Sequence, residues 1–269
     1  MIGKQPTEPA EWDAKAYHRV ANPHVEWGQP VLARLPLQGN ETVIDAGCGT
    51  GRMTAALLDR LPDGHVIALD RSDAMLAEAR EFLAPRYGDR VSFVRADLQG
   101  TRLDVDADHL FSTATYHWIT DHQRLVHALF GSIRPGGWLV AQCGGGPNIV
   151  RLRERIAQIA ATSSYAKPLH TWPGPWTFAT PEEMTGRLAR AGFIEIQTSV
   201  IAAPATLDDT GSYREFLRTV VLGEHLARLA TPADQAALLD HLTDAAAVDD
   251  PPFTLDYWRL NLQARRPAE

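Results

Sequence analysis

The chain has 269 residues, of which 45% are hydrophobic, and its formal net charge is −7. This length and apolar content allow one large α/β domain with a sizeable core. The acidic balance argues against broad binding to nucleic acid or to an anionic membrane, because those partners need a basic surface. No apolar run reaches membrane-spanning length, and residues 1–10 lack a signal-peptide core, so we expect a cytoplasmic protein. The only cysteines, Cys48 and Cys143, are expected to be reduced thiols.

Two helices are predicted before the first strand. Residues 11–20 place Trp12 and Tyr17 at helical spacing, and a second helix is predicted over residues 26–35, ending before Pro36. From the residues alone, the two aromatic side chains can simply anchor a terminal helix to the core.

The clearest motif lies in residues 42–54. A β-branched strand leads to Asp45, and Gly47, Gly49 and Gly51 follow at alternate positions before a helix-compatible run. Glycines at such a turn let a ligand approach the backbone, and the helix start offers unpaired N–H donors. The pattern indicates a site for a nucleotide-type cofactor, although a glycine-rich β-to-α turn without a ligand is the alternative.

The spacing of the glycines distinguishes between cofactors. A dinucleotide fingerprint reads G-x-G-x-x-G, but Arg52 occupies its third glycine position. A carboxylate at Asp45 suits a ligand with an ammonium group and suits a pyrophosphate poorly. The stretch Asp45–Gly51 resembles motif I of the class I S-adenosylmethionine (SAM)-dependent methyltransferases. The resemblance implies that the turn binds SAM through Asp45, Ala46, Gly47, Cys48, Gly49 and Gly51.

Further cofactor residues are predicted after the next two strands. Asp70 follows Gly51 by 19 residues, where a carboxylate can accept both ribose hydroxyls, or can simply interact with a helix dipole. The methyltransferase resemblance implies that Met75 packs on adenine and that Asp97 accepts from its amino group; a core residue and a surface turn are the alternatives. The resemblance also implies that the helix with Trp12 and Tyr17 forms a cap over SAM. The predicted cofactor-binding residues therefore also include Trp12, Tyr17, Arg71, Leu98 and Thr113.

The loop after the fourth predicted strand, residues 114–122, concentrates histidines and aromatic residues where open α/β sheets bind ligands. Together with residues 134–137 it resembles the trans-aconitate methyltransferase-like group and, more loosely, malonyl-carrier-protein methyltransferases. Thr113 and His117 stand where those families carry other polar residues. We predict acceptor-pocket walls at Tyr116, Trp118, Trp172 and Trp176, which can otherwise pack over the core edge. His117 and His122 are the candidate catalytic residues, or ordinary surface and helix-start histidines.

No metal site is predicted. Asp104, Asp106 and Asp108 alternate in one loop, but an EF-hand would need a central glycine and a terminal glutamate there. A solvated acidic loop is therefore expected.

The element order predicts one α/β domain, a seven-stranded, mostly parallel Rossmann-like methyltransferase sheet with helices on both faces and a helical cap or lid. Its expected parts are N-terminal cap helices (1–36), the SAM-binding core (37–146), the lid and helices (147–191), and the C-terminal strands (192–269) with a helical insertion (205–250).

The expected function is methyl transfer from SAM to a small molecule, with O-methylation of a carboxylic acid favoured. A hydroxyl or phenol acceptor with a histidine base, another small metabolite, and a non-catalytic SAM-binding protein are the alternatives. Arg52 disfavours a nicotinamide oxidoreductase, and the scarcity of acidic residues in 113–118 disfavours a polyamine synthase. No pattern in the sequence indicates the oligomeric state.

Overall fold

The computed structural model describes residue 14 and residues 22–98 and 106–269. The helices of these ranges are α1 (Asn22–Leu32), α2 (Arg52–Asp59), α3 (Asp73–Tyr87), α4 (His122–Gly131), α5 (Val150–Thr162), α6 (Pro181–Ala191), α7 (Thr210–Phe216), α8 (Gly223–Leu226) and α9 (Pro232–Ala247). The strands are β1 (Thr42–Ala46), β2 (His65–Asp70), β3 (Val91–Arg95), β4 (Ala107–Thr113), β5 (Ile133–Gly144), β6 (Ile194–Ala202), β7 (Ala205–Thr206), β8 (Thr254–Leu255) and β9 (Trp258–Arg265). No helix in the described ranges is both long and apolar enough to cross a membrane.

Seven strands form one sheet in the order β3-β2-β1-β4-β5-β9-β6. Every neighbouring pair is parallel except the two that β9 makes with β5 and β6. The predicted seven-stranded, mostly parallel sheet is therefore confirmed. The chain order reverses between β1 and β4, and open α/β sheets bind ligands at the carboxyl ends of the strands beside such a reversal.

Helices cover both faces of the sheet because each face presents a continuous apolar surface. On one face α4 and α6 bury Leu125 and Leu188 against sheet residues such as Leu110. On the other face α2 and α3 bury Leu57 and Leu83 in a cluster that also contains residues of α1. Burying such side chains contributes about 1.5–3 kcal/mol each, so these two layers carry most of the sheet's stabilisation.

A third apolar cluster joins α5, α7 and α9 beyond the carboxyl end of β5. Hydrogen bonds between neighbouring residues start two of the helices, α9 and α6. The Thr231 side chain accepts from the Asp234 amide while Asp234 accepts from the Thr231 amide, a capping box that starts α9. Thr180 and Glu183 start α6 in the same way. The predicted domain boundaries remain a prediction; this cluster packs helices of the predicted insertion (205–250) together with α5, which lies in the predicted lid segment (147–191).

The alternation of apolar and polar residues over 253–265 predicts one last strand, but the strand that joins the large sheet is shorter. The Tyr257 amide donates to the Leu255 carbonyl at 2.9 Å, and this three-residue turn interrupts the extended chain. As a result β8 pairs with β7 in a separate two-stranded sheet, and β9 starts at Trp258. The helix predicted over residues 26–35 is α1, which begins earlier, at Asn22. The helix predicted over residues 11–20 lies outside the described residues except for residue 14.

Candidate cofactor and acceptor site

The turn after β1 is held against the end of β2. The amides of Gly47 and Cys48 both donate to the Leu69 carbonyl, at 2.7 and 2.9 Å. A Cβ atom on Gly47 would collide with the side chain of Thr115, and its φ of +81° is a left-handed conformation. Only glycine satisfies both requirements, which explains why the motif needs glycine at this position.

Gly49 presents bare backbone to open space. Its φ is +54°, and a Cβ atom built there would meet no atom within 4 Å. Its amide donates to Asp70 Oδ2 at 3.0 Å, so the turn and the end of β2 meet at one point. A ligand at this place can approach the main chain closely.

Asp70 is oriented by backbone donors. The Ser72 amide donates to Oδ1 at 3.0 Å, while Oδ2 receives the Gly49 amide. Burial raises the pKa of Asp70, and these amide hydrogen bonds oppose that shift. Each carboxylate oxygen has a second lone pair, so both can still accept from a ligand's hydroxyl groups.

A cavity opens between this turn, the start of α3 and the ends of β3 and β4; we call it the glycine cavity. Its volume, including solvent in the open mouth, is about 730 Å³. Eight residues predicted to bind a cofactor line it: Gly47, Gly49, Asp70, Arg71, Met75, Asp97, Leu98 and Thr113. The other lining residues are Leu69, Ala96, Ala114, Thr115, Trp118 and Ile119.

The other predicted cofactor residues do not line this cavity. Asp45 is 1% exposed, and its Oδ2 accepts from the Thr54 hydroxyl at 2.7 Å, so its side chain points into the fold. The expected contact of this carboxylate with a ligand ammonium group therefore has no geometric support. Ala46, Cys48 and Gly51 likewise lie outside the lining. Trp12 and Tyr17 fall outside the described residues.

A second cavity adjoins the first; we call it the aromatic cavity. Ala114 and Trp118 line both, so the two spaces meet where β4 ends. Ala114 has a left-handed φ of +56°, unusual for a residue with a side chain, and such backbone strain is concentrated at functional sites. This cavity has a volume of about 390 Å³, including solvent in its open mouth. Its other lining residues are His117, Asn148, Ile149, Trp176, Phe178, Val220, Val221, Tyr257 and Arg259.

His117 faces the aromatic cavity with a defined orientation. The Gly144 amide donates to its Nδ1 at 3.2 Å, and its ring stacks on Phe178 with centroids 5.9 Å apart. Because Nδ1 accepts a hydrogen bond, the neutral ring carries its proton on Nε2. His117 is thus arranged as a hydrogen-bond donor rather than as a base.

Three other predicted acceptor-site residues do not line the cavity. His122 is 3% exposed, contacts the Tyr116 carbonyl through Nε2 at 2.9 Å, and has a pKa that burial lowers. The Tyr116 side chain is buried in the cluster under α4 and α6. Trp172 packs on His225, with centroids 4.8 Å apart. Trp118 and Trp176 are the predicted walls that the structure places at the cavity.

Sequence reasoning missed Arg259. It is 2% exposed and lines the aromatic cavity from β9. A single arginine in an alternating strand has no motif, and it reaches the site only because β9 inserts between β5 and β6. Within the described ranges, no group of three potential metal-binding side chains comes together.

Comparisons with known proteins agree with this fold. The methyltransferase domain family matches residues 43–137. A trans-aconitate 2-methyltransferase of Methylobacterium radiotolerans is 34% identical over 67% of this chain and 64% of its own length. That of Deinococcus radiodurans is 30% identical over 85% of this chain and 87% of its own. Haemonchus contortus phosphoethanolamine N-methyltransferase 2, solved with S-adenosylhomocysteine (SAH), shares the fold with a TM-score of 0.62 at 17% identity, covering 94% of this chain and 57% of that one.

The family match and the fold identify this chain as a class I SAM-dependent methyltransferase, and its cofactor is SAM. The glycine cavity suits that cofactor because the oriented Asp70 carboxylate can accept ribose hydroxyls while Met75 and Leu98 offer apolar surface to adenine. Within this class the chain belongs to the trans-aconitate 2-methyltransferase family. The individual residues of the site remain proposals.

Proposed function

We propose that the protein methylates a carboxylate of a small organic acid, with SAM in the glycine cavity and the acid in the aromatic cavity. The single observation that carries this proposal is the shared wall, Ala114 and Trp118, which makes the two cavities adjoin, so that a methyl donor bound in one could reach an acceptor bound in the other. Relatives named trans-aconitate 2-methyltransferases support an acid as the acceptor class. A small-molecule acceptor, a cytoplasmic location and no nucleic-acid or membrane partner complete the proposal.

The charge of the aromatic cavity supports an anionic acceptor. None of the described residues that line it is acidic, although the chain as a whole carries a net charge of −7. Two side chains that can contact an anion, Arg259 and His117, are among its lining residues. Local charges outweigh distant surface charges, which salt screens beyond about 8–10 Å.

The chemistry requires little from ionisable side chains. When bound, SAM supplies a methyl group on a sulfonium, which a carboxylate oxygen can accept directly to give a methyl ester and SAH. The protein's part is to hold the acid in line and to exclude water; orientation alone can contribute about 7–11 kcal/mol. Trp118, Trp176 and Phe178 provide the apolar walls for this.

The arrangement of His117 separates this proposal from a hydroxyl acceptor. A phenol or alcohol needs a base to remove its proton, whereas a carboxylate is already ionised at neutral pH. Because Nδ1 of His117 accepts from the Gly144 amide, the neutral ring offers the cavity a donor. A carboxylate is therefore the better match.

Methyl-labelled SAM provides the test. The protein is incubated with it and, separately, with trans-aconitate, succinate, butyrate, a fatty acid and a phenol, and the products are then treated with mild alkali. An ester releases its label as methanol, whereas an aryl ether or an amine does not. We expect alkali-labile label from at least one acid. Alkali-stable label from the phenol would favour a hydroxyl acceptor, and SAM binding without turnover on any acceptor would favour a non-catalytic SAM-binding protein.

A further inference from the structure

Four rings in the wall of the aromatic cavity contact one another in a closed circuit. The ring of His117 packs on Trp118 with centroids 5.3 Å apart, and Trp118 packs on Trp176 at 6.1 Å. Trp176 stacks on Phe178 at 5.9 Å, and Phe178 stacks on His117, also at 5.9 Å. All four residues line the cavity, and we call them the ring wall. A connected part of the cavity surface therefore consists of flat ring systems.

Trp176 is the member of the ring wall that is held most closely from outside the cavity. Its plane lies 17° from that of Phe178, and its centroid lies 4.8 Å from that of His225 on α8. His225 is 3% exposed, and burial lowers its pKa to about 3, so the imidazole is neutral. Among the described residues its Nδ1 has no hydrogen-bond partner, so this side chain acts on Trp176 through ring packing. A ligand that packs on a surface already ordered in this way loses less entropy on binding.

The same cavity offers little counter-charge to an anion. Arg259 is the one arginine or lysine in the described lining, and it already contacts protein groups. Its guanidinium carbon lies 4.6 Å from the centroid of the Trp27 ring, and its Nε donates to Gln142 Oε1 at 3.3 Å. Burying a charged group without a partner is costly, so each carboxylate added to a ligand adds to that cost. The lining therefore suits an acid with one carboxylate and an uncharged body.

The flat rings favour a planar, aromatic body over a saturated one. Aromatic pairs attract each other through the negative faces and positive edges of their rings, which adds about two- to tenfold in affinity beyond the area that they bury. A cyclohexane ring also buries apolar surface, but it is puckered and has no such faces. An aryl ring is thus the body that gains most from this wall.

We propose that the acceptor is an aryl carboxylic acid with a single carboxylate, whose ring packs against the ring wall. This inference rests on the proposed function, because it takes the aromatic cavity as the acceptor site. It narrows the acceptor class from small organic acids to aryl monocarboxylates.

Calorimetry on the SAH complex tests the binding step without requiring turnover. Benzoate and trans-cinnamate are titrated beside their saturated-ring analogues, cyclohexanecarboxylate and 3-cyclohexylpropanoate, and beside trans-aconitate. Each aryl acid has the same charge and the same number of carbon atoms as its analogue, so the comparison isolates the contribution of the planar ring. We expect the wild type to bind at least one aryl acid at least about threefold more tightly than its analogue, and more tightly than trans-aconitate.

Trp176→Leu removes one ring of the wall but keeps an apolar side chain. The preference for the aryl acid over its analogue should fall to less than about half of its wild-type value, and SAH affinity should stay within about threefold, which also shows that the variant is folded. In turnover assays KM for the aryl acid should rise more than kcat falls. Phe178→Leu replaces Trp176→Leu if that variant does not fold, with the same expectation.

Trp172→Leu is the matched control. Trp172 lies in the same loop before α6 and packs on His225 with centroids 4.8 Å apart, but it lines neither cavity. Its replacement reports any general loosening of the loop, and we expect it to keep the wild-type preference for the aryl acid.

Three results would overturn the inference: equal binding of the aryl acids and their analogues by the wild type, tighter binding of trans-aconitate than of either aryl acid, or an unchanged preference after loss of the ring. These results are separable from failure of the proposed function. An enzyme that esterifies trans-aconitate or a fatty acid but binds neither aryl acid keeps the proposed function and loses this inference. A protein that binds aryl acids through Trp176 but esterifies no acid shows the reverse.

Discussion

The Asp70 carboxylate accepts a hydrogen bond from the Gly49 amide, with N and Oδ2 3.0 Å apart. This bond connects the end of β2 to the glycine turn that follows β1. The same carboxylate accepts the Ser72 amide through its other oxygen. One side chain therefore orients the turn, the start of α3 and the expected ribose contact together. Its effect on the cofactor should exceed that of any exposed carboxylate nearby.

Replacing Asp70 with alanine should weaken SAH binding by about 1–3 kcal/mol, because the ribose loses its acceptor and the turn loses its anchor. Calorimetry measures the change. Asp73→Asn is the matched control, since Asp73 is exposed at the start of α3 and only pairs with Arg95 at 3.4 Å. Unchanged affinity in Asp70→Ala would remove Asp70 from the cofactor site.

The Gly49→Ala variant should have two separate effects: backbone strain should lower stability, and the added methyl group should take space from the cofactor and lower SAH affinity. The φ of Gly49 is +54°, so alanine should cost about 1–2 kcal/mol of stability. Gly136 is the control, because its φ is +85° and a Cβ atom there also meets nothing within 4 Å. We expect similar losses of unfolding free energy in both alanine variants, but SAH affinity reduced at least about tenfold only in Gly49→Ala. Equal SAH affinity in the two variants would contradict close approach of the cofactor to Gly49.

His117 should act in binding rather than as a base. His117→Gln can still donate a hydrogen bond and should keep most of the acceptor affinity, whereas His117→Ala should raise KM more than it lowers kcat. The reason is the Gly144 amide, which occupies Nδ1 at 3.2 Å and leaves the proton of the neutral ring on Nε2. Steady-state kinetics with an acid acceptor provide the measurement. A hundredfold loss of kcat in both variants at constant KM would instead indicate a histidine base.

The buried Asp45 should make stability depend on pH. Burial raises its pKa to about 7, against the opposing hydrogen bond from Thr54. The folded state therefore holds the proton more tightly than the unfolded chain, whose aspartate pKa is about 3.9. The contribution of this group to the unfolding free energy is greatest below about pH 4 and decreases as the pH rises towards about 7.

Urea denaturation of wild type and Asp45→Asn at pH 5 and pH 8 measures this effect. Asparagine cannot ionise but can still accept from Thr54, so the loss of stability between the two pH values should be smaller in the variant. The difference should be about 2–3 kcal/mol, because the interval from pH 5 to pH 8 covers about two of the three pKa units of the shift. If the unfolding free energy of the wild type rises from pH 5 to pH 8, or changes by the same amount in wild type and Asp45→Asn, then Asp45 stays ionised in the fold.

Activity should survive removal of divalent metal. The acid is its own nucleophile, and the side chains expected to hold it are Arg259 and His117. Turnover is measured before and after treatment with EDTA. Loss of activity that magnesium restores would require a metal site not anticipated here.

The sequence by itself determined the sheet and the glycine turn that lines the glycine cavity, because both depend on local patterns. The glycine turn after β1 and the acidic residue ending β2 are properties of short stretches, and the left-handed φ of Gly47 lies within that turn. Thr180 begins α6 through a capping box that involves only neighbouring residues. Such features can be predicted from spacing.

Only the tertiary structure decided which side chains face the acceptor. Asp45 turns towards Thr54, and His122 is buried against the Tyr116 carbonyl, because packing between α2, α4 and the sheet sets their directions. Arg259 reaches the aromatic cavity because β9 runs antiparallel between β5 and β6, which brings it to Gln142, a residue 117 positions earlier in the chain. Side-chain direction and long-range strand order depend on contacts that no local pattern records, so these residues required the fold.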